Sequence, residues 1–386
     1  MIVLTVNTGS TSVKLAAFRT DGDVTAAGSA ARPLRTQHLT GDPDPAGAVR
    51  EFLAQLEEAP AAVAHRVVHG GSRFTGPALI DAAARRAIEE LADLAPLHNP
   101  VALRWIDAAR QVCGPGVAQV AAFDTSFFCA LPRTAAQYAL PPQISAKLGI
   151  RRYGFHGLAH EAMWRRWLEL EPGLEAGGRL ITLQLGGGCS MTALDRGRPV
   201  DTSMGFSPLE GLVMATRSGD VDAALVPYLE RKLGLSGDEV LALLNERSGL
   251  AGLAGSPKDP GSLLTEGSER GRLAVELYCY RARKYLGSYL AVLGGCDGIA
   301  FGGGVGEHVP QIRARILSSF EWAGIEIDPA ANQAARGSES RISAARSRGR
   351  VWVIPVNEEL LLVRAALTIA TLGRDTRRGH RHEPNV

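Results

Sequence analysis

A hairpin plan that occurs twice constrains this chain more than any other feature. The stretch Val3-Leu4-Thr5-Val6-Asn7-Thr8-Gly9-Ser10-Thr11-Ser12-Val13-Lys14-Leu15-Ala16 runs from an apolar, β-branched segment through a turn of Asn, Gly and hydroxyl side chains into a second apolar segment carrying one lysine. That order predicts a tight β-hairpin from residue 3. Gly9 can take a positive φ, and the turn offers backbone N–H groups, hydroxyls and a cation on one side of a sheet edge. Such a concavity suits a phosphate, although hydroxyl-rich turns are also common without one. The second copy, Leu180-Ile181-Thr182-Leu183-Gln184-Leu185-Gly186-Gly187-Gly188-Cys189-Ser190-Met191-Thr192-Ala193-Leu194, favours the phosphate reading. Two such hairpins in two halves imply a duplicated architecture with a nucleotide between the lobes.

A third glycine cluster, Gly302-Gly303-Gly304-Val305-Gly306-Glu307, follows the apolar run Gly298 to Phe301 and precedes a helical pattern from Val309 to Phe320. None of the three is G-x-x-x-x-G-K-[ST], and none is G-x-G-x-x-G opening a helix, so P-loop and Rossmann sites are disfavoured. The length of 386 residues allows two or three domains with substantial cores. A formal net charge of +2 is too small to argue for a nucleic-acid or membrane partner. The cysteines Cys113, Cys129, Cys189, Cys279 and Cys296 form no C-x-x-C pair, which points to reduced thiols and a cytoplasmic location. No basic segment precedes the apolar start, so no signal peptide or anchor is expected. The apolar segment Leu360 to Leu372 carries Arg364 and is too short to span a bilayer; it reads as a buried helix. The basic tail Arg374 to Arg381 reads as a frayed terminus.

Taken in order, Thr20 to Asp44 is polar and turn-rich, and Gly47 to Leu56 reads as a helix. The strand Val63 to Gly71 alternates Val with His and Arg, which either points charge into a cleft or solvates the face of an edge strand. After a helix from Arg85 to Leu94, Pro96 and Pro100 hold Leu97, His98 and Asn99 on a rigid turn before the helix Val101 to Val112. The run Val117 to Phe123 delivers Asp124 at its C-terminal end, where open α/β sheets place ligand chemistry and where an Asp also serves as a helix cap. Arg151-Arg152-Tyr153-Gly154-Phe155-His156-Gly157 reads as an interdomain crossing, with the boundary near Ile150. The loops Asp201 to Gly211 and Thr216 to Asp220 are polar without the composition of disorder, as in a built site. Helices are expected at Asp222 to Leu233, Gly237 to Glu246 and Glu269 to Leu293, the last a core or dimer helix. A strand from Val351 to Val356 precedes a helix opened by Asn357-Glu358-Glu359.

From Val3 to about Arg364 the chain resembles the acetate kinase family, through VNTGSTSVKL, HRVVHGG, APLHNP, FDTSF, RRYGFHG, VDTSMGFSPLEGLVMATRSGDVD, SGLAGLAGS, GGGVGEH and IPVNEEL in one order. That family shares the fold of sugar kinases, actin and the heat-shock chaperone ATPases. The resemblance therefore implies an α/β protein of two duplicated actin-like (ribonuclease H-like) domains with a nucleotide cleft between them. Residues 1–149 plus about 360–386 would form the N-terminal, acceptor-side domain closed by the C-terminal helix. Residues 150–359 would form the domain for nucleotide binding and homodimerisation.

The implied reaction is reversible transfer of the γ-phosphoryl of ATP to acetate, giving acetyl phosphate and ADP, with Mg²⁺ or alternatively Mn²⁺. Arg66 and Arg217 would hold the acetate carboxylate and the migrating group, His156 would hydrogen-bond that group in the transition state, and Asp124 would orient the acceptor or handle its proton. Val68, Leu97, Phe155 and Pro208 match the pocket around the acetate methyl; Asn7 and Glu358 match the metal positions. Ser10, Ser12 and Lys14 would meet phosphate oxygens. The rest of the nucleotide set is Gln184, Leu185, Gly186, Gly187, Gly188, Asp259, Pro260, Gly261, Gly304, Val305, Gly306, Glu307 and His308. Four departures stand out. Gln184 to Gly188 replace His-Leu-Gly-Asn-Gly, Lys258-Asp259-Pro260-Gly261 replaces Ser-Asp-x-Arg, His308 replaces an Asn and Ser72 a Glu. These leave open propionate or another short-chain acid as acceptor, and GTP or pyrophosphate as donor. A non-catalytic nucleotide-binding module is the reading of a different class, and the retained Arg66, Asp124, His156 and Arg217 oppose it.

Overall fold

The computed structural model of the chain describes residues 1–9, 12–20, 32–256 and 259–379, with side chains to residue 371. Ser10, Lys258 and the side chains of the basic tail lie outside the described residues. Contacts divide the chain into two units, Met1–Cys129 with Asn357–Val386, and Ala130–Val356. Residues 130–149, placed with the first domain by the sequence reading, belong with the second. There the Arg152 amide donates to Ala136 O (2.7 Å) and the Phe206 amide to Tyr138 Oη (2.8 Å).

In the first unit, β1 (Ile2–Thr8), β2 (Ser12–Arg19), β3 (Arg35–Thr40), β4 (Ala62–Val67), β5 (Ala78–Leu79) and β6 (Ala118–Phe123) form one sheet in the order β3-β2-β1-β4-β6-β5. In the second, β7 (Arg179–Leu185), β8 (Cys189–Asp195), β9 (Arg198–Thr202), β10 (Gly298–Gly302), β11 (Ser340–Arg341) and β12 (Arg350–Val353) run β11-β12-β10-β7-β8-β9. Read from the opposite edge, the second order is the first repeated. In each unit an antiparallel meander opens the sheet, the meander's first strand starts a parallel run, and a two-residue antiparallel strand closes the far edge. The duplication legible in the two hairpins is thus a duplication of whole sheets.

The strands hold because their apolar residues are buried on both faces, as parallel strands covered by helices require. Leu4, Val6, Leu15 and Val63 pack with Phe52, Trp105 and Ala109 from the helices Pro45–Leu53 and Asn99–Cys113. Full burial of each such aliphatic or aromatic side chain contributes on the order of 1.5–3 kcal/mol. The helix Glu358–Gly379 lies across β1, β4 and β6 and buries Leu362, Val363 and Ala366, which brings its first turn to the carboxyl ends of those strands. In the second unit the 25-residue helix Glu269–Leu293 packs on β7, β8 and β9, burying Ala274, Tyr278, Ala282, Leu286 and Tyr289. Gly298 is required by Trp167, whose ring would stand 2.0 Å from a Cβ at that position. Among the described residues no helix is long and apolar enough to cross a membrane.

Candidate active site

Two polar clusters, one in each unit, collect the residues singled out from the sequence. In the first unit the register does the collecting. Asn7 pairs with Lys14 across the hairpin, and Val6 pairs with His65 and Val67 with Phe123 along the parallel strands. Asn7, Arg66 and Asp124 therefore reach the carboxyl ends of three neighbouring strands together, the edge where open α/β sheets carry their chemistry. Arg66 donates from Nε to Asp124 Oδ1 (3.2 Å) and from Nη2 to Asp124 Oδ2 (2.7 Å), a bidentate fork. Its Nη1 reaches Glu358 Oε2 (3.1 Å) and Asn7 Oδ1 (3.3 Å). The Asn7 amide donates to both Glu358 (2.8 Å) and Glu359 (3.1 Å), and Lys14 Nζ pairs with Glu359 at 2.9 Å.

Burial works against the Arg66 charge, but Asp124, Glu358 and Glu359 outweigh it and hold its pKa above the ordinary value. Burial lifts the Glu358 carboxyl; Arg66 opposes the lift and Asp124 adds to it. Three carboxylates thus face two cations, an excess of negative oxygen that suits a hard divalent cation. Val68 is buried in this unit, whereas Leu97 is 57% exposed.

The second unit brings an imidazole and a guanidinium to a glycine turn. Gly186, Gly187 and Gly188 connect β7 to β8, and a side chain at Gly188 would be tightly placed. A Cβ there would lie 3.2 Å from His156 Nε2 and 3.8 Å from Arg217 Nη1, so both side chains converge on this turn. His156 sits at φ 56°, ψ 31° at the start of the helix Gly157–Leu170, a left-handed conformation costing about 1–2 kcal/mol for a side-chain-bearing residue. Arg217 Nη1 donates to Pro208 O (3.3 Å) and touches Met214 Sδ (3.7 Å). Among the described residues it has no carboxylate partner, and burial lowers its pKa from the ordinary value. A desolvated guanidinium with only neutral partners is well suited to an anionic ligand. Phe155 is fully buried and Pro208 half-buried.

Three features of this unit escaped the sequence reading. The stretch SGLAGLAGS forms the helix Gly249–Ala254, which aims its first amides at the loop that carries Arg217. Ser248 N donates to Thr216 O (3.0 Å), Leu250 N to Met214 O (2.9 Å) and Ala251 N to Ala215 O (2.9 Å), while Ala215 N donates to Gly187 O (3.1 Å). One contiguous set of backbone bonds therefore joins that helix, the Arg217 loop and the glycine turn. Glu307 belongs to the loop rather than pointing outward, because its Oε1 accepts from Gly303 N (2.9 Å) and Val356 N (3.1 Å). Behind it, the fully buried Arg313 donates to Gly306 O, Asn332 O and Ala335 O and ties down the short helix Gly303–His308, which contains Gly304, Val305 and Gly306.

The departures also have a structural reading. Gly187 does not occupy the left-handed region, and a Cβ there meets nothing within 4 Å. Gln184 Oε1 is buried with no partner among the described residues. The Asp259 carboxylate caps the helix Pro260–Glu266 by accepting from Gly261 N (2.9 Å) and Ser262 N (3.1 Å), and a Cβ on Gly261 would press Val309 at 3.3 Å.

A family model described as the Acetokinase family matches residues 35–364. The acetate kinase of Solibacter usitatus is 50% identical over 307 residues, 78% of this chain and 74% of that protein. The acetate kinase of Geobacillus kaustophilus is 39% identical over 396 residues, 96% and 99% of the two chains. Among solved structures, Porphyromonas gingivalis acetate kinase superposes with a TM-score of 0.85 at 34% identity, covering 96% of this chain and 99% of its own. A propionate kinase from Francisella tularensis superposes with a TM-score of 0.84 at 32% identity, covering 94% and 98%. The duplicated sheets are accordingly the actin-like fold of these kinases. With the family's motifs arranged as two polar clusters at sheet edges, the chain belongs to the acetokinase family, phosphotransferases with a carboxyl group as acceptor.

Proposed function

We propose that this chain catalyses reversible transfer of the γ-phosphoryl group of ATP to acetate, with Mg²⁺ as the divalent ion. The observation that carries the proposal is the pair Arg217 and His156 at the Gly186–Gly188 turn, a half-buried cation without a carboxylate partner among the described residues, beside an imidazole. Phosphoryl transfer needs positioning and charge stabilisation far more than covalent chemistry, and such a pair provides both.

From the second unit, Arg217 and His156 donate to the migrating group while the turn amides hold phosphate oxygens. From the first, Arg66 binds the acetate carboxylate, kept in place by its fork to Asp124. Asp124 orients this arginine and needs no base role, since acetate is already ionised at neutral pH. Lys14 and Ser12 meet phosphate oxygens, and Val68, Leu97, Phe155 and Pro208 bound the acetate methyl. Glu358 and Asn7 would hold Mg²⁺ with few protein oxygens, the usual manner of an ion that keeps its waters. When bound, that ion neutralises charge on the phosphates.

Hydroxamate trapping of acetyl phosphate with Mg²⁺ and ATP tests the reading, and no product with formate, acetate, propionate or butyrate would sink it. Because Gly261 contributes no planar cation beside the base, ATP and GTP should differ by less than about tenfold in kcat/KM. Homodimerisation through the second unit is part of the proposal. Leu273, Tyr280 and Val292 on the helix Glu269–Leu293 and Leu225, Tyr228 and Leu233 on the helix Leu225–Leu233 are all exposed. Light scattering at the mass of one chain would overturn that part.

A further inference from the structure

The loop of residues 205–211 is fastened at both feet by side chains that none of the roles above uses. At the first foot the Tyr138 hydroxyl donates to Glu210 and accepts from the Phe206 amide at 2.8 Å, so one oxygen ties the two limbs of the loop together. The other oxygen of Glu210 accepts from Arg152, whose Nη1 reaches Thr202 O at 3.1 Å and whose guanidinium lies over the Tyr138 ring. Gly205 leaves the space this pair occupies: a Cβ there would stand 1.7 Å from Glu210 Oε2 and 2.1 Å from Tyr138 Oη. Burial first, and then the Glu210 carboxylate, raise the pKa of Tyr138 above the ordinary tyrosine value, so its hydroxyl keeps the hydrogen it donates. At the second foot Asp220 accepts from Gly211 N at 2.7 Å and returns its own amide to Gly211 O at 3.0 Å. Tyr285 (2.8 Å) and Arg281 (3.1 Å), from the helix Glu269–Leu293, hold its other oxygen.

Between the feet stands Pro208, half-buried, whose carbonyl accepts from Arg217 Nη1 at 3.3 Å. Proline has a fixed φ and no N–H to bond, so the place of its ring follows from where the two feet put the backbone. We propose that Tyr138 and Glu210 form a clamp that holds Pro208 at a set distance from Arg217 and thereby decides the length of the acid that the site accepts. Tyr138 and Glu210 are positioning residues that act through Pro208. The selectivity rests on the reading of Pro208 as a wall of the acid pocket, whereas the clamp itself does not. A wall fastened at both feet resists an extra methylene. Released at one foot it retreats, and the roughly 10–200-fold discrimination that one methylene is worth in an apolar pocket shrinks.

Tyr138→Phe keeps the ring beneath Arg152 and removes only the hydroxyl. In the full-length protein it should raise acetate KM about fivefold or more, with kcat and ATP KM within about twofold, and raise the ratio of propionate to acetate kcat/KM about fivefold or more. Glu210→Ala should move that ratio the same way, and the double variant should add less than about twofold, as expected of two residues in one device. An unchanged ratio in Tyr138→Phe, or effects that multiply in the double variant, overturn the selectivity role. Hydrogen exchange read by mass spectrometry tests the clamp without the reaction. A peptide spanning residues 204–212 should exchange about fivefold faster or more in Tyr138→Phe, while peptides from the helix Glu269–Leu293 keep the wild-type rate. Equal exchange in the loop peptide overturns the clamp. Wild-type protein that makes no acyl phosphate from any of the four acids sinks the phosphoryl-transfer reading and the selectivity with it, and the exchange measurement still decides the clamp. Should Tyr138→Phe not fold, Glu210→Ala carries both measurements.

Discussion

The two arginines of the candidate site differ in what holds them, and the difference is measurable. Arg66 forks onto the fully buried Asp124 and reaches Glu358, whereas Arg217 rests on a carbonyl and a thioether. Either change to alanine should lower kcat/KM by roughly 10²-fold or more, the scale of removing one preorganised charge-stabilising donor. Arg66→Ala additionally strands a buried carboxylate and should cost about 3 kcal/mol or more of stability; Arg217→Ala strands none and should leave the melting temperature near wild type. Kinetics and thermal melts on both variants check this, and equal melting losses would contradict it. The glycine turn offers a complementary gain of function. Gln184→His with Gly187→Asn adds two donors where the chain has an oxygen without a partner among the described residues and an open Cβ position. This double variant should raise kcat with acetate KM nearly unchanged, since each restored hydrogen bond to a charged group is worth about 1.5–3 kcal/mol. Gly187→Ala should be silent because the position has neither positive φ nor a close neighbour. A double variant that binds nucleotide with unchanged kcat would show that this turn does not limit the rate.

At the scale of elements, Gly249 shows why a glycine-rich stretch remote from the chemistry matters. It sits at φ 59°, and a Cβ would stand 2.3 Å from Met214 O and 2.6 Å from Arg217 O. Gly249→Ala should push the Arg217 loop off its helix and reduce kcat/KM at least tenfold. Retained secondary structure by circular dichroism, together with wild-type activity, would refute the docking role. Nothing in SGLAGLAGS alone points to that role, because the bonds run to a loop about thirty residues earlier. Elements with strong local signals were legible. The helices Gly237–Glu246 and Glu269–Leu293 have the bounds read from the sequence, the first closed by a Ser236–Glu239 capping box. The strand β3, with the sequence RTQHLT, was not legible, since an edge strand with alternate residues exposed needs little apolar character. The helix Gly157–Leu170 was hidden by the glycines and aromatics of RRYGFHG before it. Within the site, Arg66 and Asp124 could be read from where their strands end. The pairing of Glu359 with Lys14, and the bond from Tyr138 to Glu210, depend on register and tertiary packing that no single stretch encodes.

The whole molecule carries a pH dependence of stability that follows from three buried histidines. Burial pushes His65 and His69 down to about 4 and His160 down to about 3, against an ordinary value near 6.5. Their contacts agree with neutral rings: His65 Nε2 lies 2.8 Å from Gln119 Oε1, and His69 Nδ1 accepts from Gly71 N at 3.0 Å. Each ring is neutral in the fold and takes up a proton on unfolding once the pH is below about 6.5. The unfolded state then binds more protons, so stability rises with pH in this window. The contribution is fully present above about 6.5 and is lost as the pH falls towards about 4, at up to about 1.4 kcal/mol per pH unit for each histidine. Glu358 and Asp201, whose carboxyls are lifted by burial, work in the opposite sense but are two groups against three. Paired carboxylates such as Asp297, held below the usual range by Arg179, titrate too low to interfere above about pH 5. Calorimetry between about pH 7.5 and 5 should therefore show a melting temperature that is nearly level down to about 6.5 and then falls with increasing slope. His65→Gln should reduce that slope by about a third, having removed one of three proton-uptake sites. A level melting temperature across the window, or an unchanged slope in the variant, would mean that these rings already carry protons in the fold.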